Sequence, residues 1–251
     1  MNHPSWPVIG GLAAAIAITT TMDATGYAIF SALPLLPLTG LFWYLQRFSH
    51  AEMGLTWGRM VHYGLSLAYP ILVLGAAAAA AYVFDAVETS GADWNKVLLN
   101  IGLIIITGSL IVLMTVEGFF RGWLWAALKR AGHNDTRVLF ASTIAFTAWH
   151  ISAISLDTGF DIPANEIPIY LINATLIGAV FGAMRLISGS VVVPSVCHAV
   201  WNGIDYPLFG FGEKVGALGI QQTHIFGPEV GLLGIALNLA FLTGLWLRFG
   251  K

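Results

Sequence analysis

Long apolar runs separated by short polar loops cover almost the whole chain. Most runs have about the 17–25 residues that an α-helix needs to cross a bilayer, whereas the strands of a membrane barrel are only about ten residues long. The pattern predicts an all-α, polytopic membrane bundle of about eight transmembrane helices. The predicted spans are residues 8–22, 27–45, 60–84, 97–128, 138–155, 167–186, 191–209 and 230–247.

Composition supports a membrane protein and argues against a soluble one. Of the 251 residues, 57% are hydrophobic and 10% are charged. Soluble domains carry about 25% charged residues, so this chain has too few polar side chains to cover a soluble core of its size. A net charge of −2 gives no indication of nucleic-acid binding. No repeat or shift in composition divides the sequence, and we predict one integral membrane domain over residues 1–251.

Basic and acidic residues alternate between successive loops, which predicts the orientation of the spans. Positive charge marks the cytoplasmic side of a membrane, so the pattern predicts cytoplasmic termini in a protein of the cytoplasmic (inner) membrane. The basic loops contain Arg47, Arg59, Lys129, Arg130, Arg137, Arg185 and Arg248. The opposite loops contain Asp23, Asp85, Glu88, Asp93, Asp157, Glu166 and Glu229, together with Lys96 and Lys214.

Three polar pairs lie inside the predicted spans, and the two members of each pair are four positions apart. This spacing places both members on one face of a helix. Ionisable groups at membrane depth are costly and usually functional, so we expect the pairs to meet in an intramembrane polar cavity. The pairs are Glu117/Arg121, Phe146/His150 and His198/Asn202.

Each pair also has a structural interpretation. Glu117 and Arg121 can neutralise each other and pin a helix. His150 can be a hydrogen-bonded packing residue, and His198 with Asn202 can hold helices together in a buried polar network. The functional interpretation of the last pair is a set of donors that stabilises a developing oxyanion in a site poor in water.

Taken in order, the three pairs resemble the motifs of the CPBP family of intramembrane proteases, which includes CAAX-processing endopeptidases and bacteriocin-immunity proteins. The family pattern is E-E-x-x-x-R, then F-x-x-x-H, then H-x-x-x-N. The second and third motifs match in full, and the run Phe120-Arg121-Gly122 matches the F-R-G ending of the first. The resemblance covers residues 97–208, approximately.

This resemblance implies an intramembrane endopeptidase that hydrolyses a peptide by means of a carboxylate-activated water. The implied substrate is a membrane-anchored peptide or lipidated protein in the bilayer, and other membrane proteins are candidate partners in a complex. It implies catalytic roles for Glu117, His150, His198 and Asn202, with Arg121 and Phe146 in support.

The expected cofactor is none, with zinc as the alternative. Two histidines and a carboxylate are acceptable zinc ligands, but no His-Glu-x-x-His motif is present. Cys197, the single cysteine, excludes an internal disulfide and a cysteine-based metal cluster.

One departure from the family pattern leaves two functions open. Aligning on Arg121 places Val116 where the family has its first glutamate, which activates the water, and Glu117 where it has the second. On a helix these neighbours point about 100° apart. The alternative is therefore an inactive scaffold, chaperone or accessory subunit of a membrane complex. A transporter fits less well, because no broken-helix pair or inverted repeat is visible.

Overall fold

The computed structural model describes residues 6–89, 91–160, 162–212 and 214–249. The described chain is mostly helical, with one very short β-hairpin, which confirms the predicted all-α polytopic bundle. The helices are α1 (Trp6–Ala24), α2 (Leu35–Gln46), α3 (His50–Met53), α4 (Met60–Val83), α5 (Trp94–Met114), α6 (Trp125–Arg130), α7 (Asp135–Trp149), α8 (Ile151–Ser155), α9 (Ile167–Ser188), α10 (Val192–Phe209), α11 (Thr223–Phe226) and α12 (Leu232–Phe249). A 3₁₀ turn (Ala28–Phe30) precedes α2, a π-helix (Gly118–Leu124) joins α5 to α6, and the hairpin pairs β1 (Gly210–Phe211) with β2 (Lys214–Val215).

Seven helical segments of the described chain are long and apolar enough to cross a membrane, fewer than the eight expected. The predicted span 191–209 is the difference. It forms α10, but His198, Asn202 and Asp205 lower its hydropathy. The seven segments are Trp6–Ala24, Ala28–Gln46, Met60–Val83, Trp94–Arg130, Asp135–Ser155, Ile167–Ser188 and Leu232–Phe249.

Helix α10 can carry polar side chains within the membrane because it lies inside the bundle, where α5, α4 and α9 pack around it. Gly203 permits a close approach, since a Cβ there would lie 2.5 Å from Cγ1 of Ile105 on α5. On another face, the indole of Trp201 stacks on the ring of Tyr69 from α4, with 5.1 Å between the ring centroids. The polar side chains of α10 are therefore held among other helices and away from lipid.

Two predicted spans are broken where their polar residues lie. Helix α5 ends at Met114, and the chain continues as the π-helix before α6 begins. Gly118 fits this transition, because a Cβ there would lie 2.5 Å from the carbonyl oxygen of Leu113. Helix α7 ends at Trp149 and α8 begins at Ile151. Both predicted spans are confirmed as segments able to cross a membrane, Trp94–Arg130 and Asp135–Ser155, but neither is one regular helix. Such irregularities are frequent at functional sites.

Candidate active site

A small cavity between α7, α9 and α10 contains the polar residues of the second and third motifs. Its volume is about 30 Å³, which is about the space of one water molecule. His150, His198 and Asn202 all line it, so the structure brings together side chains from two separate helical segments. Phe146, Tyr170, Trp201, Tyr206 and Glu229 also line this cavity, which we call the histidine cavity.

His150 occupies the break between α7 and α8, and its ring turns back onto its own helix. Nδ1 lies 2.8 Å from the carbonyl oxygen of Phe146, while the backbone N–H of His150 donates to the carbonyl oxygen of Thr147 where α7 ends. A carbonyl can only accept, so Nδ1 carries a hydrogen. Nε2 of the neutral ring is then an acceptor, and it makes no hydrogen bond within the described chain.

His198 is fixed by a carboxylate from a distant part of the chain. Its Nδ1 donates to Oε1 of Glu117 over 3.0 Å, and its ring stacks on Phe181 with 4.7 Å between the centroids. The contact selects the tautomer with hydrogen on Nδ1 and leaves Nε2 without a partner in the described chain. Asn202 lies one helical turn along α10, and its carboxamide likewise makes no hydrogen bond to the described residues.

Glu117 lies behind His198 and outside the wall of the histidine cavity. It is fully buried, and Oε1 also lies 3.4 Å from Nη1 of Arg121. Arg121 in turn donates through Nη2 to the carbonyl oxygen of Gly178 over 2.7 Å, and its guanidinium lies 4.4 Å from the centroid of the Phe146 ring. The first motif therefore orients His198 and supports Phe146.

Val116 also lies outside the cavity wall. Its side chain is buried in an apolar cluster that includes Phe119, Phe120 and Trp123. Neither of the two positions that carry the family's glutamate pair thus places a carboxylate in the wall of the histidine cavity.

Two carboxyl groups at or beside the cavity, those of Glu229 and Asp205, were not predicted from the sequence. Nε1 of Trp201 donates to Oε1 of Glu229 over 2.7 Å, and the Asp205 carboxyl group lies beside Glu229. Enclosure in the protein raises the pKa of Glu229 to about 7, although the Trp201 and Asp205 contacts oppose this shift. Asp205 had a usable signal, an acidic residue inside an apolar span. Nothing in the sequence distinguished Glu229 from an ordinary charged residue in a loop.

The donor set does not form a ready metal site. Within the part of the chain that the structure describes, no group of three or more His, Cys, Asp or Glu side chains is arranged to hold a metal ion. In Glu117, the carboxylate of the zinc alternative, Oε1 is engaged by His198 and Arg121, and Oε2 is buried without a hydrogen-bond partner in the described chain. Cys197 is buried and free.

A helical membrane bundle with two imidazoles and a carboxamide around one internal cavity has the arrangement of an intramembrane-protease-like fold. Residues 98–204, a little under half of the chain, match the family described as type II CAAX prenyl endopeptidase Rce1-like. This match confirms the predicted resemblance, and the family as a whole indicates protease activity. No curated protein and no solved structure matches the chain.

Proposed function

We propose that this protein is an intramembrane endopeptidase that hydrolyses a peptide bond of a membrane-anchored substrate. One observation carries the proposal: His150, His198 and Asn202 line a single cavity, and each ring has an Nε2 without a partner in the described chain. Packing alone would not require both imidazoles to present an unused nitrogen, because buried polar groups normally pair.

The cavity supports hydrolysis by an activated water. Nε2 of His150 accepts a hydrogen bond from the water and orients it. Asn202 donates from its carboxamide to the carbonyl oxygen of the substrate, and His198 donates from Nε2 when it carries a second proton. Glu117, at 3.0 Å from Nδ1, stabilises that positive charge. Preorganised donors of this kind act strongly in a site that excludes water.

The substrate is a lipidated or otherwise membrane-anchored peptide, and it reaches the cavity from within the bilayer. Because the histidine cavity has space for about one water, its walls must separate to admit a peptide. We place both termini in the cytoplasm and the protein in the cytoplasmic membrane, on the charge pattern of the loops. Other membrane proteins are candidate partners in a complex.

A second candidate function is an inactive scaffold, chaperone or accessory subunit of a membrane complex. Val116 favours it, because the water-activating glutamate implied by the family resemblance is replaced by a buried apolar side chain. In a scaffold, Glu117 and Arg121 would serve packing alone. The unpaired Nε2 atoms of His150 and His198 would then have no function.

Turnover of fluorogenic lipopeptides by the purified protein in vesicles separates the two candidates. The peptide set carries prenyl, acyl or no lipid, so that it also tests the substrate class. The endopeptidase proposal expects cleavage that persists after treatment with a chelator and is lost in Asn202→Ala by about 10²–10³-fold. A folded protein that cleaves none of the peptides supports the scaffold.

A further inference from the structure

Glu229 places a carboxylate in the wall of the histidine cavity from a part of the chain that no motif covers. It lies in the loop between α11 and α12 and lines the cavity together with His150 and His198. Among the described residues in that wall, Glu229 is the single acidic side chain. It also lines a second cavity of about 130 Å³, whose wall includes Asp205 and Glu166.

The side chain of Glu229 is held in place by α10. Nε1 of Trp201 donates to Oε1 over 2.7 Å, and this contact fixes one carboxylate oxygen. The indole itself is clamped by stacking on Tyr69. Asp205 adds a second carboxyl group beside Glu229, and its buried Oδ1 has no hydrogen-bond partner in the described chain.

The backbone of the Glu229 loop is fixed by a chain of buried amides. Nδ2 of Asn173 on α9 donates to the carbonyl oxygens of Glu229 and Gly231, over 3.0 and 3.2 Å. Asn238 donates to Oδ1 of Asn173, and the Tyr69 hydroxyl donates to Oδ1 of Asn238. A loop carboxylate supported on both its side chain and its backbone is preorganised, which is the usual condition of a functional group.

Neither Val116 nor Glu117 can take this position without rearrangement. Val116 is buried in the apolar cluster, and Glu117 shares Oε1 between His198 and Arg121. The cavity therefore has histidine and amide donors from the motifs and a carboxylate from the Glu229 loop.

We propose that Glu229 is the general base of the peptide hydrolysis, in place of the glutamate that the first motif lacks. This inference rests on the proposed function. The Glu229 carboxylate takes one proton from the water as the water oxygen bonds to the carbonyl carbon of the substrate. The same proton then passes to the amide nitrogen as the C–N bond breaks, and the products are a carboxylic acid and an amine.

Other titratable groups face Glu229 and contribute to any pH dependence. A carboxylate that gains a proton near neutral pH is well suited to act as a base, because its basicity matches the working pH. The groups that face it are Asp205 and Tyr206 on α10, Tyr170 on α9, Tyr69 on α4, and the two cavity histidines, His150 and His198.

Glu229→Gln tests the assignment, with Glu166→Gln as the matched control. Gln keeps the size of the side chain and its acceptor for Trp201 but removes the base. Glu166 is also buried and lines the larger cavity, where Oε1 accepts from Oγ1 of Thr223, but it is absent from the wall of the histidine cavity.

We expect Glu229→Gln to lower lipopeptide turnover by about 10²–10⁴-fold, while Glu166→Gln cleaves at the wild-type rate. Glu229→Asp keeps the charge on a shorter side chain, so its turnover should lie between the rates of Glu229→Gln and the wild type. Thermal unfolding identifies a variant that fails to fold, in which case Glu229→Asp decides, because it keeps the charge. Turnover of folded Glu229→Asp below the wild-type rate supports Glu229, and turnover at the wild-type rate overturns the assignment.

Two failures are distinguishable in this experiment. If Glu229→Gln cleaves like the wild type while Asn202→Ala does not, Glu229 is not the base and the proposed function stands. If the folded wild-type protein cleaves no peptide, the proposed function is contradicted and the assignment of Glu229 is overturned with it.

Discussion

Oε1 of Glu117 lies 3.0 Å from Nδ1 of His198, although the two residues are 81 positions apart in the chain. The contact joins the first motif to the third and fixes the tautomer of the histidine that faces the cavity. Because Glu117 is fully buried and also pairs with Arg121, it acts on the site through His198.

Glu117→Gln should destabilise the fold as well as disturb His198. The substitution leaves the Arg121 guanidinium buried without its carboxylate, which costs about 3–5 kcal/mol. Thermal or denaturant unfolding in detergent measures the loss. In the double variant Glu117→Gln/Arg121→Met the unpaired charge is removed, so the two effects should not add. Additive losses would show that the pair is not coupled.

Val116→Glu should not restore activity. The side chain at this position lies in the apolar cluster outside the cavity wall, so a glutamate there becomes a buried carboxylate without a prepared partner. We expect lower thermal stability and no gain in lipopeptide turnover. Val116→Thr keeps the shape and adds a small polar group, and should cost less stability. A large gain in turnover in Val116→Glu would instead reveal a dormant site of the family type.

Gly178→Ala tests the packing behind the cavity. A Cβ at Gly178 would lie 2.9 Å from Cδ1 of Phe146 and 3.3 Å from Nη2 of Arg121. We expect a loss of about 1–3 kcal/mol, as for other overpacked positions. Gly75→Ala on α4 is the control, because a Cβ there meets nothing within 4 Å. Equal unfolding temperatures for the two variants would contradict the close approach of α9 to Arg121.

The expected pH dependence of turnover and of stability follows from the protonation of Glu229. Its pKa of about 7 means that the carboxylate forms as the pH rises through neutrality, so turnover should rise with it. Stability should change in the opposite direction. The folded chain holds this proton more tightly than the unfolded chain, so the contribution is complete below the ordinary pKa of 4.5 and is lost as the pH rises through about 7.

Unfolding temperatures measured between pH 5 and pH 8 check the predicted loss of stability. The wild-type protein should lose stability over this interval, and Glu229→Gln should lose less, because the amide does not titrate. Parallel curves for the two proteins would show that Glu229 does not hold its proton in the folded state.

Apolar run lengths and motif order predicted the helical bundle and the meeting of His150, His198 and Asn202. These features follow from one-dimensional patterns, since a membrane span has a fixed length and spacing of four places two side chains on one face. The polar character of α10 was visible as well, and it gives this segment a lower hydropathy than the seven apolar spans have.

The helix breaks and the cavity carboxylate could not be predicted in the same way. No proline marks the end of α5 or the break at His150, so local propensity gives no signal for either. Glu229 is a loop residue whose position depends on Trp201 and on the buried amides of Asn173 and Asn238. These are tertiary contacts, and the sequence spacing does not encode them.

Cleavage of a lipidated fluorogenic peptide by the wild-type protein and by His198→Ala, both reconstituted in vesicles, tests the central claim most directly. His224→Ala is the control, because His224 is exposed on α11 and does not line the cavity. We expect turnover in the wild type and the control, and a loss of at least about 10²-fold in His198→Ala with the fold retained. Equal turnover in all three proteins, or none in the wild type, would contradict the proposed function.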